Sequence, residues 1–263
     1  PAGAYINEYQ GYMSEEDKAT VRAQALQVIK TFRDGGCQLP PPPDRDTIHR
    51  MMNFFVAQEV PEEYLPMMLE EMELDGRDQR SDNWGSEVPQ QQREQHKVLV
   101  IGGGMSGVLA AVQLQEAGLP FVVIEKNSSV GGTWFENRYP GARVDVSNNL
   151  YCYSFEPAHH WTQYFAQQPE LRKYFEDVVS NHHLQDRFRL NTEVTRAVYD
   201  EDTNLWTVDT LDTSGNSETH VVNSVISAVG QLNRPKLPDV PGVEEFQGQW
   251  CHSADWDTGM DYR

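Results

Sequence analysis

Gly102-Gly103-Gly104-Met105-Ser106-Gly107 fits G-x-G-x-x-G, a spacing suited to holding a diphosphate. Gly102 permits a tight turn, Gly104 lets the backbone approach a pyrophosphate, and Gly107 lets a helix lie close on a strand. Met105 and Ser106 would open that helix, whose free N–H groups and about half a positive charge face the phosphates. Glu125 follows about 20 residues on, where a carboxylate can accept both hydroxyls of an adenosine ribose. The same carboxylate repels a 2′-phosphate, so the site favours FAD or NAD over NADP. Lys126 stands beside it.

The elements needed to position these groups are all present. Residues 97–101 are a short apolar run that reads as a buried parallel strand. Residues 106–117 repeat apolar side chains at helical spacing, and Gly118 and Pro120 stop them. Residues 121–124 read as a second buried strand. An ordinary βαβ turn would explain the glycines but not the acid at the second strand's tip. The implied fold class is α/β, with a Rossmann-like domain.

A long irregular segment follows, 127–145, dense in Gly, Trp, Tyr and Pro. Gly131 and Gly132 permit close backbone approach, and Trp134 and Tyr139 could wall an aromatic ring. Loops of such length beside a nucleotide motif tend to be functional.

The net charge of −19 over 263 residues argues against nucleic acid or an anionic membrane as partner, since both need a basic face. No run reaches the ~18 apolar residues of a membrane span, and no basic-then-apolar leader opens the chain. Cys37, Cys152 and Cys251 are far apart and form no C-x-x-C. They suggest reduced thiols in a cytoplasmic protein, with no disulfide framework and no metal site.

Residues 1–90 differ in character and read as a helical extension with a linker; 91–263 form the Rossmann-like domain. Ser14 with Asp17 makes a capping start, and Val21, Ala25, Val28, Ile29 and Phe32 then recur at helical spacing. Gly35-Gly36 ends that helix, and 40–43 form a polyproline connector. Asp46 or Thr47 is expected to cap a second helix with Ile48, Met51, Met52 and Phe55 on one side. Pro61 or Pro66 opens a third, carrying Leu65, Met68, Leu69 and Met72. These methionine-rich faces are expected to pack on the main domain or across a subunit interface, with a ligand site as the alternative. Residues 75–95 read as an exposed linker.

Beyond the loop, residues 169–181 form a helix, and His182-His183 at its end suits the helix C-terminus better than a metal. His159-His160 reads as a polar turn. Strand-like runs occupy 188–199, 205–211 and 220–229, with turns at 200–204 and 212–217. The last run ends on Gly230 and suits a strand returning to the parallel sheet, with the glycine allowing close passage.

Two stretches together resemble the type I Baeyer–Villiger monooxygenases. Phe246, Gly248, His252 and Trp256 match that family's F-x-G-x-x-x-H-x-x-x-W fingerprint. Residues 131–145 match [AG]-G-x-W-x-x-x-x-[FY]-P-[GM]-x-x-x-D. The helical extension is similar in placement and length to that of the 4-hydroxyacetophenone (aryl ketone) branch.

The resemblance implies a flavoprotein of the two-dinucleotide-binding type, its FAD on the Gly102 turn and Glu125. Flavin contacts would include Gly132, Thr133, Trp134, Asn137, Arg143, Asp145, Tyr151, Val194 and Gly230. NADPH would be held by a second domain. Reduced flavin and O₂ would give a C4a-peroxyflavin that converts a ketone to an ester or lactone. Asp145 would orient an active-site arginine and help keep the peroxide deprotonated. His252 and Trp256 would couple domain motion to cofactor placement.

In the family a second glycine motif and the catalytic arginine come later than residue 263, so the chain is expected to be the FAD-binding part, inactive alone. Two alternatives stay open. One is an oxygenase of nitrogen or sulfur, against which Trp256 speaks. The other is a non-catalytic flavin-binding module with the N-terminal helices as a homodimer contact.

Overall fold

The computed structural model describes residues 13–38, 41–71, 87–148, 150–158 and 160–261. The chain divides into two compact units, Pro1–Ser81 and Asp82–Arg263.

In the first unit, helix α1 (Glu15–Asp34) starts where Ser14 Oγ accepts the Asp17 N–H at 3.0 Å. Gly36, at φ +79°, turns the chain out of it. None of its described residues is buried. Helix α2 (Arg45–Val56) is capped by Asp44 instead of Asp46 or Thr47. The Asp44 carboxylate accepts the Thr47 N–H at 2.8 Å, and that bond holds its carboxyl below the usual range. Thr47 is thus the donor of the cap.

A 3-10 turn (Glu62–Tyr64) after Pro61 runs into helix α3 (Leu65–Glu71). Val60 fastens the connection, donating its N–H to Asn53 Oδ1 at 2.7 Å and accepting from His49 Nε2 at 2.6 Å. Ile48 and Leu65 are this unit's buried side chains among the described residues. Pro40, Met72 and the linker residues Asp75, Gly76 and Gly85 lie outside those described.

The second unit begins with the short helix α4 (Gln90–Arg93) and contains two sheets. Strands β1 (Val98–Ile101), β2 (Phe121–Ile124), β3 (Phe188–Arg189) and β7 (Ser224–Ser227) form a parallel sheet in the order β3-β2-β1-β7. Strands β4 (Thr192–Asp200), β5 (Leu205–Asp212) and β6 (Ser217–Val222) form an antiparallel one. Helices α5 (Met105–Glu116), α6 (Thr133–Glu136) and α7 (Gln168–Asn181) complete it.

The apolar strand runs need cover on both faces, and they have it. Val98, Val100, Phe121 and Val123 pack with α5 and α7 residues such as Val108, Val112, Leu171 and Phe175. Leu99 and Ile124 point the other way, onto Val208 and Val222 of the antiparallel sheet. A parallel strand buried on both sides reads as an unbroken apolar run for this reason.

Two expected single strands are each split between the sheets. The run 188–199 gives β3 and β4, broken at Asn191, whose φ is +53°. The run 220–229 gives β6 and β7, broken at Asn223. There the side chain accepts the Lys97 N–H at 2.9 Å and the backbone N–H donates to the Lys97 carbonyl at 2.9 Å. An asparagine that satisfies the backbone locally lets the chain leave one sheet and enter the other.

Candidate dinucleotide site

The turn after β1 leads into α5, whose N-cap is Gly104 and whose first turn has no side-chain cap. The first N–H groups of a helix have no partner within it, so these point at whatever sits before the turn. A Cβ on Gly107 would come within 1.9 Å of the Gly102 carbonyl oxygen. Only glycine allows α5 to lie that close to β1. Gly102 is itself at φ +103° and abuts the Ala228 carbonyl after β7.

Glu125, 4% exposed, ends β2. Its carboxylate accepts from Gly103 N–H at 2.6 Å and from Asn127 N–H at 2.8 Å. Each oxygen keeps a lone pair for a further donor. Lys126 is turned away from it, paired with Glu136 at 3.0 Å. The strand tip is therefore fixed by backbone bonds and presents its carboxylate beside the glycine turn. A glycine cradle, an uncapped helix and an acceptor-only carboxylate fit the diphosphate and ribose of a dinucleotide such as FAD.

The loop after β2 returns to the same turn. A Cβ on Gly132 (φ +51°) would meet Gly104 Cα at 2.9 Å, and Gly131 N–H donates to the Gly103 carbonyl at 2.9 Å. The two glycine motifs are thus in backbone contact. Helix α6 starts there, with Thr133 exposed and Trp134 buried at 8%. The Trp134 indole sits in the core and donates to Tyr151 Oη at 3.0 Å, edge-on to that ring. Tyr139 is 37% exposed.

Asn137 bonds back to the Thr133 carbonyl at 3.0 Å. Arg143 and Asp145 are exposed, flanking the buried Val144. Ser106 is exposed and Met105 half-buried at the helix start.

The remaining expected positions lie further along. Val194, on β4, is half-buried against the Leu99 and Ile124 side. Gly230 has φ +74°, which suits glycine, yet a Cβ there would meet nothing within 4 Å. The close passage beside the first glycine is made by Ala228. Phe246 lies over Gly248, where a Cβ would fall 2.4 Å from the ring, so those two positions of the downstream motif pack on each other. His252 caps a 3-10 turn (Ser253–Asp255), its Nδ1 accepting the Ala254 N–H at 3.0 Å. Trp256 is half-buried.

His182 caps α7 and faces Glu156 at 3.3 Å. His159 lies outside the described residues; His160 stacks on Trp161.

Three residues tie the loop together that the motifs do not mark: Glu136, Asn148 and Gln168. Glu136 joins Lys126 and Asn127 to α6. Asn148 is 3% exposed and Gln168 donates to the Trp134 carbonyl. The one hint in the sequence was that Asn148 falls midway between Asp145 and Tyr151.

The fold and site define a Rossmann-type dinucleotide-binding domain. Residues 100–168 match the model of the NAD(P)-binding Rossmann-like domain. A Baeyer–Villiger monooxygenase of Pseudomonas aeruginosa is 41% identical over 168 residues, which is 64% of this chain and 31% of that protein. An uncharacterised monooxygenase of Sinorhizobium fredii is 31% identical over 94% of this chain and 36% of its own length. The crystal structure of cyclohexanone monooxygenase from Rhodococcus sp. Phi1 bound to NADP⁺ has a TM-score of 0.56 at 38% identity, over 64% of this chain and 32% of that one. Over about two thirds of its length the chain is similar to Baeyer–Villiger monooxygenases. The chain spans about a third of the length of the curated relatives it matches.

Among the described residues, no helix is long and apolar enough to cross a membrane.

Proposed function

We propose that this chain is the FAD-binding part of a flavin-dependent Baeyer–Villiger monooxygenase, which converts ketones to esters or lactones with NADPH and O₂. The observation that carries the reading is the backbone contact between the two glycine motifs, Gly104 against Gly132. It joins a diphosphate cradle to the Trp134–Asp145 loop, as one extended cofactor with a diphosphate and an aromatic ring at opposite ends requires. When bound, FAD supplies hydride acceptance from NADPH and activation of O₂.

The chain's own residues have the following parts. The first turn of α5 holds the diphosphate, and Glu125 accepts the ribose hydroxyls. Trp134, buried in the core, locks Tyr151 through its indole N–H, and Tyr151 contacts the flavin. Asp145, exposed and three residues from a buried asparagine, offers a carboxylate to orient an arginine supplied from elsewhere in the full protein. His252 and Trp256 couple this domain to the one that holds NADPH. The ketones are aryl or bulky, a reading supported by the helical extension at the N-terminus. That extension is also the contact of a homodimer, which the open apolar faces of α1 and α2 support. The three separated thiols support a cytoplasmic setting.

The test is made on the full-length protein. It should purify yellow, consume NADPH slowly alone, and speed up when a ketone is added, yielding ester. No ester from a panel of aryl, cyclic and linear ketones would sink the reading; preference for a thioether in competition would move it to heteroatom oxygenation. Deleting residues 1–90 and measuring mass in solution tests the dimer, and an unchanged number of subunits removes that role.

A further inference from the structure

We infer that Asn148 is a positioning residue for the cofactor loop, setting where Asp145 and Tyr151 stand; the inference rests on the function proposed above. Asn148 is one of few buried polar residues in the described chain, at 3% exposure, and both ends of its carboxamide are bonded. Oδ1 accepts the Ala166 N–H at 2.7 Å, and Nδ2 donates to the Gln163 carbonyl at 2.5 Å. Its backbone N–H donates to the Tyr164 carbonyl at 3.2 Å, and its own carbonyl, at 3.2 Å, shares the Tyr151 N–H with the Ser147 carbonyl at 3.0 Å.

These bonds close a circuit. Tyr151 Oη receives the Trp134 indole N–H at 3.0 Å, and the Trp134 carbonyl receives the Gln168 side chain. The Gln168 N–H donates to the Ala142 carbonyl at 2.9 Å, and Val144 N–H to the Ala166 carbonyl at 3.1 Å. From Ala166 the path returns to Asn148. Asp145 lies on the arc between the two pins, with buried Val144 on one side and Asn148 on the other. It is itself exposed.

The side chain best able to hold a charged group in one position is then the buried amide beside it. Burial gives that amide no competing water, and both its ends are specified. An arc pinned at one end only would let the carboxylate wander by more than the fraction of an ångström that a reacting site tolerates.

The experiment uses the full-length protein, wild type and three variants. Asn148→Ala deletes both side-chain bonds. Asn148→Asp keeps the acceptor for Ala166 but, when ionised, sets an oxygen against the Gln163 carbonyl. Asn181→Ala removes an exposed asparagine on α7 that bonds Glu156 at 2.9 Å, outside the circuit. FAD affinity, from the fluorescence of released flavin, should fall about 10-fold in Asn148→Ala, the scale of one buried hydrogen bond. The visible circular dichroism of the remaining bound flavin should change as well, and Asn181→Ala should match wild type in both.

Asn148→Asp carries the sharper signature. Its carboxyl, when protonated, can donate to Gln163 while accepting from Ala166. Binding should therefore approach wild type near about pH 5 and fall toward the Ala variant by about pH 8. A defect flat across that range, or affinity and dichroism unchanged in Asn148→Ala, would overturn the inference.

Loop order is read separately in flavin-free protein by protease cleavage within residues 142–151. Asn148→Ala should be cut several-fold faster than wild type, and Asn181→Ala at the same rate. A wild type that takes up no flavin defeats the proposed function alone; cleavage indifferent to Asn148→Ala defeats this one.

Discussion

The two units of this chain treat their apolar residues in opposite ways. Around the glycine turn, Leu99, Val100, Val108 and Val112 are fully buried. On α1, Val28 and Ile29 remain 66% and 62% exposed, and on α2 Phe54 and Phe55 are each 89% exposed. Both regions show clean periodicity. The difference lies in what each pattern specifies. A four-residue apolar strand cannot exist without neighbours on both faces and edges, so β1 and β2 imply their surroundings. An amphipathic helix satisfies its own backbone and is set by local caps such as Ser14 and Asp44. It declares which face is apolar, and leaves open what covers it.

The strongest way to break the contrast is inside the glycine turn. In Gly107→Ala the added methyl would lie 1.9 Å from a backbone oxygen, which neither α5 nor β1 can yield without separating. We expect a loss of about 3 kcal/mol in denaturant unfolding and purification without flavin. Retained flavin with normal stability would mean the two elements are not as tightly apposed as described. Next comes Glu125→Ala, which strands the buried Gly103 N–H and the half-buried Asn127 N–H. That should cost about 2 kcal/mol and weaken flavin binding with it. Glu125→Gln keeps an acceptor and should recover part of the stability.

The same contrast governs how much of the molecule is legible in its sequence. The βαβ unit, its acid and the helix at 168–181 were legible because glycine spacing and unbroken apolar runs have few other uses. The sheet change at Asn191 and Asn223 was not, because a single asparagine in an apolar run looks like a tolerated polar residue. Only the positive φ of Asn191 and the bonds of Asn223 to Lys97 reveal their part. The Asp44 cap was misassigned by two or three residues since Asp44, Asp46 and Thr47 all have the right chemistry, and geometry alone selects among them. Within the candidate site, the glycines of the two motifs meet at the turn, whereas Asn148 and Gln168, which hold the loop that follows, belong to no motif.

A further probe of the packed unit is alkaline titration, which leaves it unchanged at neutral pH. Tyr174, at 3% exposure, donates to the Glu156 carbonyl at 2.8 Å and accepts the Tyr153 N–H at 2.8 Å. Burial pushes its phenol up to about 12, and burial raises Tyr153 too. An unfolded tyrosine ionises near about 10. The raised native value means the stability is fully present below about 10 and is lost as pH climbs to about 12. Near-ultraviolet circular dichroism should hold steady to the lower value and collapse across that window. In Tyr174→Phe the unit should be weaker at every pH but lose less across it.

The smallest effect is expected in the helical unit, and its smallness is the point. Phe54 and Phe55 stand on α2 beside a groove of about 900 Å³ lined by Ile48, Met51, Met68 and Tyr64 among others. Side chains this exposed contribute almost nothing to a fold that does not cover them. The double change Phe54→Ser, Phe55→Ser should therefore shift the stability of this chain by no more than about 0.5 kcal/mol. Binding of a hydrophobic dye should drop, since an apolar patch of this kind is what such dyes find. In the full-length protein the same pair of changes separates two situations. If the groove stays open there, the shift remains small; if another surface covers it, the loss rises to several kcal/mol, as for any large side chain removed from a packed interior. The ratio of the two losses thus measures how far the open half of this molecule becomes like its closed half.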